Sequence, residues 1–130
     1  MAKTKKVPPE KKEYIYEGTL LKWIDGDTCT IRVNLGFNKL SAEITCRLNG
    51  INCPEIKTKA GENAAVFCEI HCPPNSEIVM RTHKPSPEDK FGRWLADIGR
   101  KIDDGLTINQ MLLTQGLAKP WNGKGPKPIF

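Results

Sequence analysis

The sequence has no apolar run approaching the roughly 20 residues that a membrane-spanning helix needs, so no such helix is expected. No apolar stretch follows the basic N-terminus, MAKTKKVPPEKKEY, and a signal peptide is not expected either. Cys-x-x-Cys pairs are absent. The five cysteines, Cys29, Cys46, Cys53, Cys68 and Cys72, are odd in number and irregularly spaced. That argues against a disulfide framework and against a zinc ribbon, and it reads as free thiols in a reducing cytoplasm. Internal repeats are missing too, which excludes a solenoid or a propeller.

What is present is the composition of one globular domain. The chain has 130 residues, 38% of them hydrophobic and 27% charged, with a mean hydropathy of −0.45. That is long enough to bury a core without staples and too apolar for a disordered chain. The net charge of +5 points to a polyanion partner. Its distribution weakens the point. Residues 1–12 hold five Lys and one Glu, residues 119–130 hold three Lys and no acid, and the segment between is slightly acidic. The body is near neutral and the ends are basic, a pattern that more often aids solubility than builds a nucleic-acid surface.

Three regions follow: a mobile basic tail over residues 1–12, a folded domain over 13–121 and an irregular tail over 122–130. Residues 14–23 read as a strand, Asp25-Gly26 as a hairpin turn and residues 28–33 as a second strand. Ala42, Ile44, Cys46 and Leu48 alternate with Ser41, Glu43, Thr45 and Arg47, the cleanest strand signal, with Arg47 on the polar phase. Residues 49–55 read as a loop. A helix is expected over residues 61–72, because Ala64, Phe67, Cys68, His71 and Cys72 form one apolar stripe. The same stripe gives Cys68, His71 and Cys72 a core reading ahead of a metal-binding one. Strands are expected over 77–82 and 94–98, with a polar loop over 84–89 that leaves His83 without an evident partner. Residues 103–105 read as a turn, Thr107 and Gln110 fit a capping box, and Gly116 is the expected helix stop. Short antiparallel strands in this order fit a five-stranded OB-type Greek-key barrel, with a helix between strands 3 and 4 and a short helix after strand 5.

The polar residues offer a second line of reasoning. Asp25 and Asp27 flank a tight turn, Asn52 and Glu55 share a loop after Arg47, and Arg93 follows a polar loop. Carboxylate and amide oxygens suit a hard cation such as Ca²⁺. Two guanidinium forks suit phosphate, and a nearby Glu suits general-base work on water. Those are the parts for hydrolysing a phosphodiester. Each also has an ordinary structural use: turn amides for Asp27, surface ion pairs for the arginines, an exposed loop acid for Glu55.

Motif order adds to this. Ile24-Asp25-Gly26-Asp27-Thr28 comes first, then Arg47, Gly50, Ile51, Pro54 and Glu55 in an RxxGIxxPE string. Asp89-Lys90-Phe91-Gly92-Arg93 and Gln115-Gly116-Leu117-Ala118-Lys119 follow. This series resembles the staphylococcal nuclease (thermonuclease) family over roughly residues 17–121, most of the chain. The resemblance implies an OB barrel with helices and Ca²⁺-dependent cleavage of DNA or RNA to 5′-hydroxyl and 3′-phosphate ends. It implies Asp27, Asn52 and the Cys53 backbone carbonyl as metal ligands, with Thr28 acting through water. It implies Glu55 as general base, Arg47 and Arg93 as phosphate-binding arginines, and Lys90 and Phe91 as substrate-binding residues. Asn52 stands where the family has a carboxylate, so one negative charge is missing. Phe91 stands where the best-known member has a Tyr, which keeps stacking and loses a hydroxyl. Trp121 offers either a base-stacking face or a residue that packs the tail on the barrel. The implied partner is nucleic acid, single-stranded DNA or RNA first and duplex second. The implied protein is a monomer from a phage or bacterial cytoplasm. A barrel that binds nucleic acid without cutting it is the competing reading, and Asn52 is the residue that favours it.

Overall fold

The computed structural model describes residues 14–37, 39–83, 93–100, 106–123 and 125–130. The N-terminal tail, the 84–89 loop, the 103–105 turn, Lys90 and Phe91 lie outside these residues. Chain order runs β1 (Tyr14–Asp25), β2 (Thr28–Gly36), β3 (Leu40–Leu48), β4 (Ile51–Asn52), α1 (Lys59–His71), β5 (Glu77–His83), β6 (Trp94–Arg100), α2 (Ile108–Thr114) and β7 (Lys119–Pro120).

β1, β2, β3, β6 and β5 close into a barrel in that order. Closure depends on β1, which pairs with β5 through residues 14–19 and with β2 through residues 18–25. Its register shifts between Leu20 and Lys22 and again between Trp23 and Asp25. Such irregularities bend a strand enough to serve two neighbours. Gly18 lies at the crossover, where a Cβ would fall 2.7 Å from the Arg32 carbonyl oxygen.

Two expectations about the sheet need correction. The strands are not all antiparallel: β3 and β6 run parallel, Cys46 opposite Trp94 and Arg47 opposite Leu95. A closed ring of five strands cannot alternate throughout: β1–β2, β2–β3, β1–β5 and β5–β6 are antiparallel, which leaves β3 and β6 parallel. Residues 51–52, read as loop, form β4 and pair with β7 as a separate two-stranded ribbon. Two-residue strands carry no periodicity for a sequence to display.

The pleat sets the core. Leu20, Ile31, Cys46, Leu48, Ile78, Met80, Ala96 and Ile98 point inward and are fully buried. α1 covers one end of the barrel with Gly61, Ala64, Ala65 and Cys68. Its N-cap is Thr58, whose hydroxyl accepts from Gly61 N, so the helix starts two residues before the expected Gly61. At its C-terminus the Trp23 indole N–H donates to the Cys72 carbonyl at 2.9 Å, tying the helix to β1. All five cysteines are buried and free.

α2 has the expected capping box between Thr107 and Gln110. Gly116, at φ 72°, ends it, with Gly116 N donating to Leu113 O and Leu117 N to Leu112 O. The buried Asn109 binds α2 to the barrel: its Oδ1 accepts from Ile98 N, and its Nδ2 donates to Ala96 O and to Asn49 O. His83 lies in β5, not in a loop, and its Nε2 is 2.8 Å from Asp97 Oδ2.

Candidate functional site

The hairpin between β1 and β2 sets the first residues in place. Asp25 Oδ1 accepts from Asp27 N at 3.0 Å and closes the turn. Gly26 is pressed against α1, where a Cβ would lie 2.8 Å from Ala64 Cβ and 3.0 Å from Cys53 Sγ. Only glycine lets the backbone approach that closely. Asp27 is consequently carried inward, with 7% of its surface exposed. Its backbone carbonyl accepts from Leu48 N at 2.8 Å. Its carboxylate accepts from the Thr28 hydroxyl at 3.2 Å and from Cys53 N at 3.0 Å. One side chain thus joins the hairpin to the segment after β3.

Arg47, near the end of β3, is 8% exposed although it falls on the polar phase of its strand. The other polar-phase residues of β3, Ser41, Glu43 and Thr45, are exposed. The difference is that β4, β7 and Trp121 cover this end. Arg47 Nη2 donates to Asn52 Oδ1 at 3.1 Å and to Ile51 O at 3.5 Å, and lies 3.6 Å from Asp27 Oδ2. Its Cζ lies 4.5 Å from the centre of the half-buried Trp121 ring. The β4–β7 ribbon delivers that ring, and Trp121 N donates to Gly50 O at 3.0 Å.

Beyond Asn52 the chain is pinned twice, by Cys53 N on Asp27 and by the Glu55 carbonyl, which accepts from Thr58 N at 3.0 Å and from the Thr58 hydroxyl at 2.7 Å. Gly61 lies directly against that carbonyl, and a Cβ there would be 1.8 Å from Glu55 O. The Glu55 side chain is exposed on a fixed backbone. Arg93, half-buried, immediately precedes β6, the strand whose Leu95 lies opposite Arg47.

The structure therefore brings Asp27, Thr28, Arg47, Asn52, Cys53 and Trp121 into one cluster, with Glu55 three residues along from Asn52 and Arg93 at the start of the adjacent strand. Sequence reasoning placed Asp25 at the turn and among the oxygens that suit a cation, but gave it no role of its own. Its carboxyl is pushed up to about 6, first by burial, then by the hydrogen bond and negative charge of Asp27. The sequence reading passed over Thr58 and Asn109, and it read Gly26 and Gly61 as a turn residue and a helix start without the close approaches they permit. Thr58, three residues before Gly61, was legible as an N-cap; the glycines were not, because close approach has no local signature.

Among the described residues no group of three or more His, Cys, Asp or Glu side chains is arranged around a metal position. The donors here are of another kind: the Asp27 carboxylate, the Asn52 amide oxygen and backbone carbonyls. Asp27 Oδ2, Asn52 Oδ1 and Ile51 O all lie within 3.6 Å of one cationic nitrogen. These oxygens are hard donors of the kind a divalent cation takes, and here the Arg47 guanidinium engages them.

A closed, mixed five-stranded barrel covered at one end by a helix is an OB-type α+β fold, and here an arginine of β3 is held among acidic and amide oxygens beside the β1–β2 hairpin. The chain matches the family model described as Staphylococcal nuclease homologue over residues 45–127, more than half its length, and it belongs to that family. The match includes Arg47, Asn52, Cys53, Glu55, Arg93 and Trp121. Asp25, Asp27 and Thr28 precede it, and the contacts of Asp27 join them to the matched part.

Proposed function

We propose that the protein is a Ca²⁺-dependent nuclease that hydrolyses phosphodiester bonds of DNA or RNA, single strands first, to 5′-hydroxyl and 3′-phosphate ends. The observation that carries this reading is the convergence of Asp27 and Asn52 oxygens on the Arg47 guanidinium, within a buried cluster next to Glu55.

Arg93 would set its guanidinium against the non-bridging oxygens of the scissile phosphate, and Arg47 would do so through the nitrogens other than Nη2, which Asn52, Ile51 and Asp27 engage; both would stabilise the charge that builds there. Glu55 accepts a proton from water as the water oxygen bonds to phosphorus. The bond from phosphorus to the 5′ oxygen breaks, and that oxygen leaves as a hydroxyl after taking up a proton from solvent. The Asp27 carboxylate, the Asn52 amide oxygen and the Cys53 carbonyl would hold the cation, with Thr28 acting through water. Bound there, Ca²⁺ supplies Lewis-acid polarisation of a phosphate oxygen.

The test is cleavage of single-stranded and duplex DNA, and of RNA, by purified protein with Ca²⁺ and with chelator, alongside Glu55→Gln. Calcium-dependent cutting that falls by about 10²- to 10⁴-fold in the variant, with an unchanged thermal melt, is the expected result. An unchanged rate would remove Glu55 from its role. A second reading, a barrel that binds nucleic acid without cutting, draws on Asn52: an amide replaces a carboxylate and its oxygen already accepts from Arg47. Oligonucleotide binding without cleavage under any divalent ion would establish it.

A further inference from the structure

Trp121 does not pack as a core aromatic does. The apolar side chains that border the core cluster are Tyr16, Trp23, Ile44, Phe67, Met111 and Leu117. Trp121 instead faces charge: Arg47 Cζ at 4.5 Å from its ring centre and Lys127 Nζ at 5.9 Å. We infer that Trp121 is a positioning residue for Arg47, holding the guanidinium in the orientation that the proposed phosphate contact requires. The inference rests on the nuclease reading for what Arg47 does, and on the geometry alone for what Trp121 does to Arg47.

Arg47 has several torsions and would lose its orientation readily if it were held from one direction only. Here it is held from two. Hydrogen bonds and an ion pair fix Nη2 to Asn52, Ile51 and Asp27, and the indole covers the guanidinium carbon. An aromatic face attracts a cation through its quadrupole, and it does so more strongly where water is excluded. The ring in turn is placed by backbone. Lys119 pairs with Asn52 and Pro120 with Ile51 across the ribbon, and Trp121 N binds Gly50 O. The strand that supplies the Asn52 amide therefore also determines where the indole lies. The Asn52 and Ile51 contacts and the indole cover thus come from the β4–β7 ribbon and the residue after it, while Asp27 holds Arg47 from the β1–β2 hairpin.

The experiment compares Trp121→Leu with Trp121→Phe in the full chain. Leucine keeps apolar cover and removes the quadrupole; phenylalanine keeps both. On a single-stranded oligodeoxynucleotide with Ca²⁺, Trp121→Leu is expected to lower kcat about 10-fold or more with KM within about threefold, and Trp121→Phe to recover most of the rate. In an Arg47→Ala background, Trp121→Leu is expected to add no further loss. A raised KM with unchanged kcat would overturn the inference, because the ring would then be contacting a base. So would a full further loss in the Arg47→Ala background, or equal losses in both variants with a lowered melt. A readout without turnover separates this from the nuclease reading. The Arg47 side-chain proton resonances, displaced by the indole ring current, are expected to relax in Trp121→Leu and to stay displaced in Trp121→Phe. If wild-type protein cuts nothing, the nuclease reading falls and these resonances alone decide whether the indole holds Arg47. Resonances identical in wild type and Trp121→Leu would overturn it.

Discussion

α1 reaches the barrel through atoms that make few hydrogen bonds, and α2 reaches it through an amide that makes many. On the α1 side the contacts are close approaches: Gly26 against Ala64 and Cys53, Gly61 against the Glu55 carbonyl, and Cys68 Sγ donating weakly to Gly26 O at 3.4 Å. On the α2 side Asn109 alone satisfies Ile98 N, Ala96 O and Asn49 O, and its Nδ2 also lies 3.4 Å from Asp97 Oδ1. The first arrangement fixes where the hairpin and residues 52–55 lie, and so sets the geometry around Asp27 and Glu55. The second fixes the turn that follows β3. Shape holds the chemistry, and hydrogen bonding holds the frame.

The comparison implies different failures. Asn109→Leu should give the largest loss, about 2 to 4 kcal/mol of stability, because it strands several buried backbone groups at once. Denaturant melts measure it, and any activity lost should follow the folded fraction. Gly61→Ala should cost less stability, about 1 to 3 kcal/mol, yet reduce cleavage beyond what unfolding accounts for. Its methyl would meet Glu55 O at 1.8 Å, so the Glu55 backbone must shift. A variant whose activity only tracks its melt would erase the distinction between the two sides. Thr107→Ala removes one capping acceptor from α2 and should cost about 1 kcal/mol with no effect on rate per folded molecule.

The last prediction concerns the thiols and leaves stability untouched. Burial pushes Cys46 up to about 12 and raises Cys29, Cys53 and Cys68 as well. A raised thiol pKa means less thiolate at any given pH, so raising pH from about 7 to 9 should do little for alkylation of the folded protein. Mass spectrometry should find all five cysteines labelled after denaturation. Rapid labelling of native Cys53 or Cys68 would show that the α1 side opens, and would weaken the picture of a shape-held site.

Much of the barrel was legible because strands advertise themselves by period. β3 is the clearest case, and the helix stripe and the capping box at Thr107 are others. The parallel contact between β3 and β6 was not legible in any one strand, since it follows from closing five strands into a ring and no local pattern records closure. His83 shows the same limit, as its partner Asp97 lies on a different strand. For the site, residue types pointed to phosphate chemistry, but nothing in spacing brings Asp27 to Cys53 or Trp121 to Arg47. Those meetings are products of the fold. The burial of Arg47 is the sharpest example: its strand phase reads as solvent-facing, and a ribbon from far along the chain covers it.

That ribbon has a consequence for the order of assembly. It joins β4 to a strand that emerges only after every other element has been made. Contacts between segments so far apart in sequence carry a loop-closure penalty and form late in folding. A growing chain can wrap its first strands and α1 while Arg47 still lacks its indole cover. The Arg47 cluster is therefore completed only once Trp121, 74 residues further along the chain, has been made.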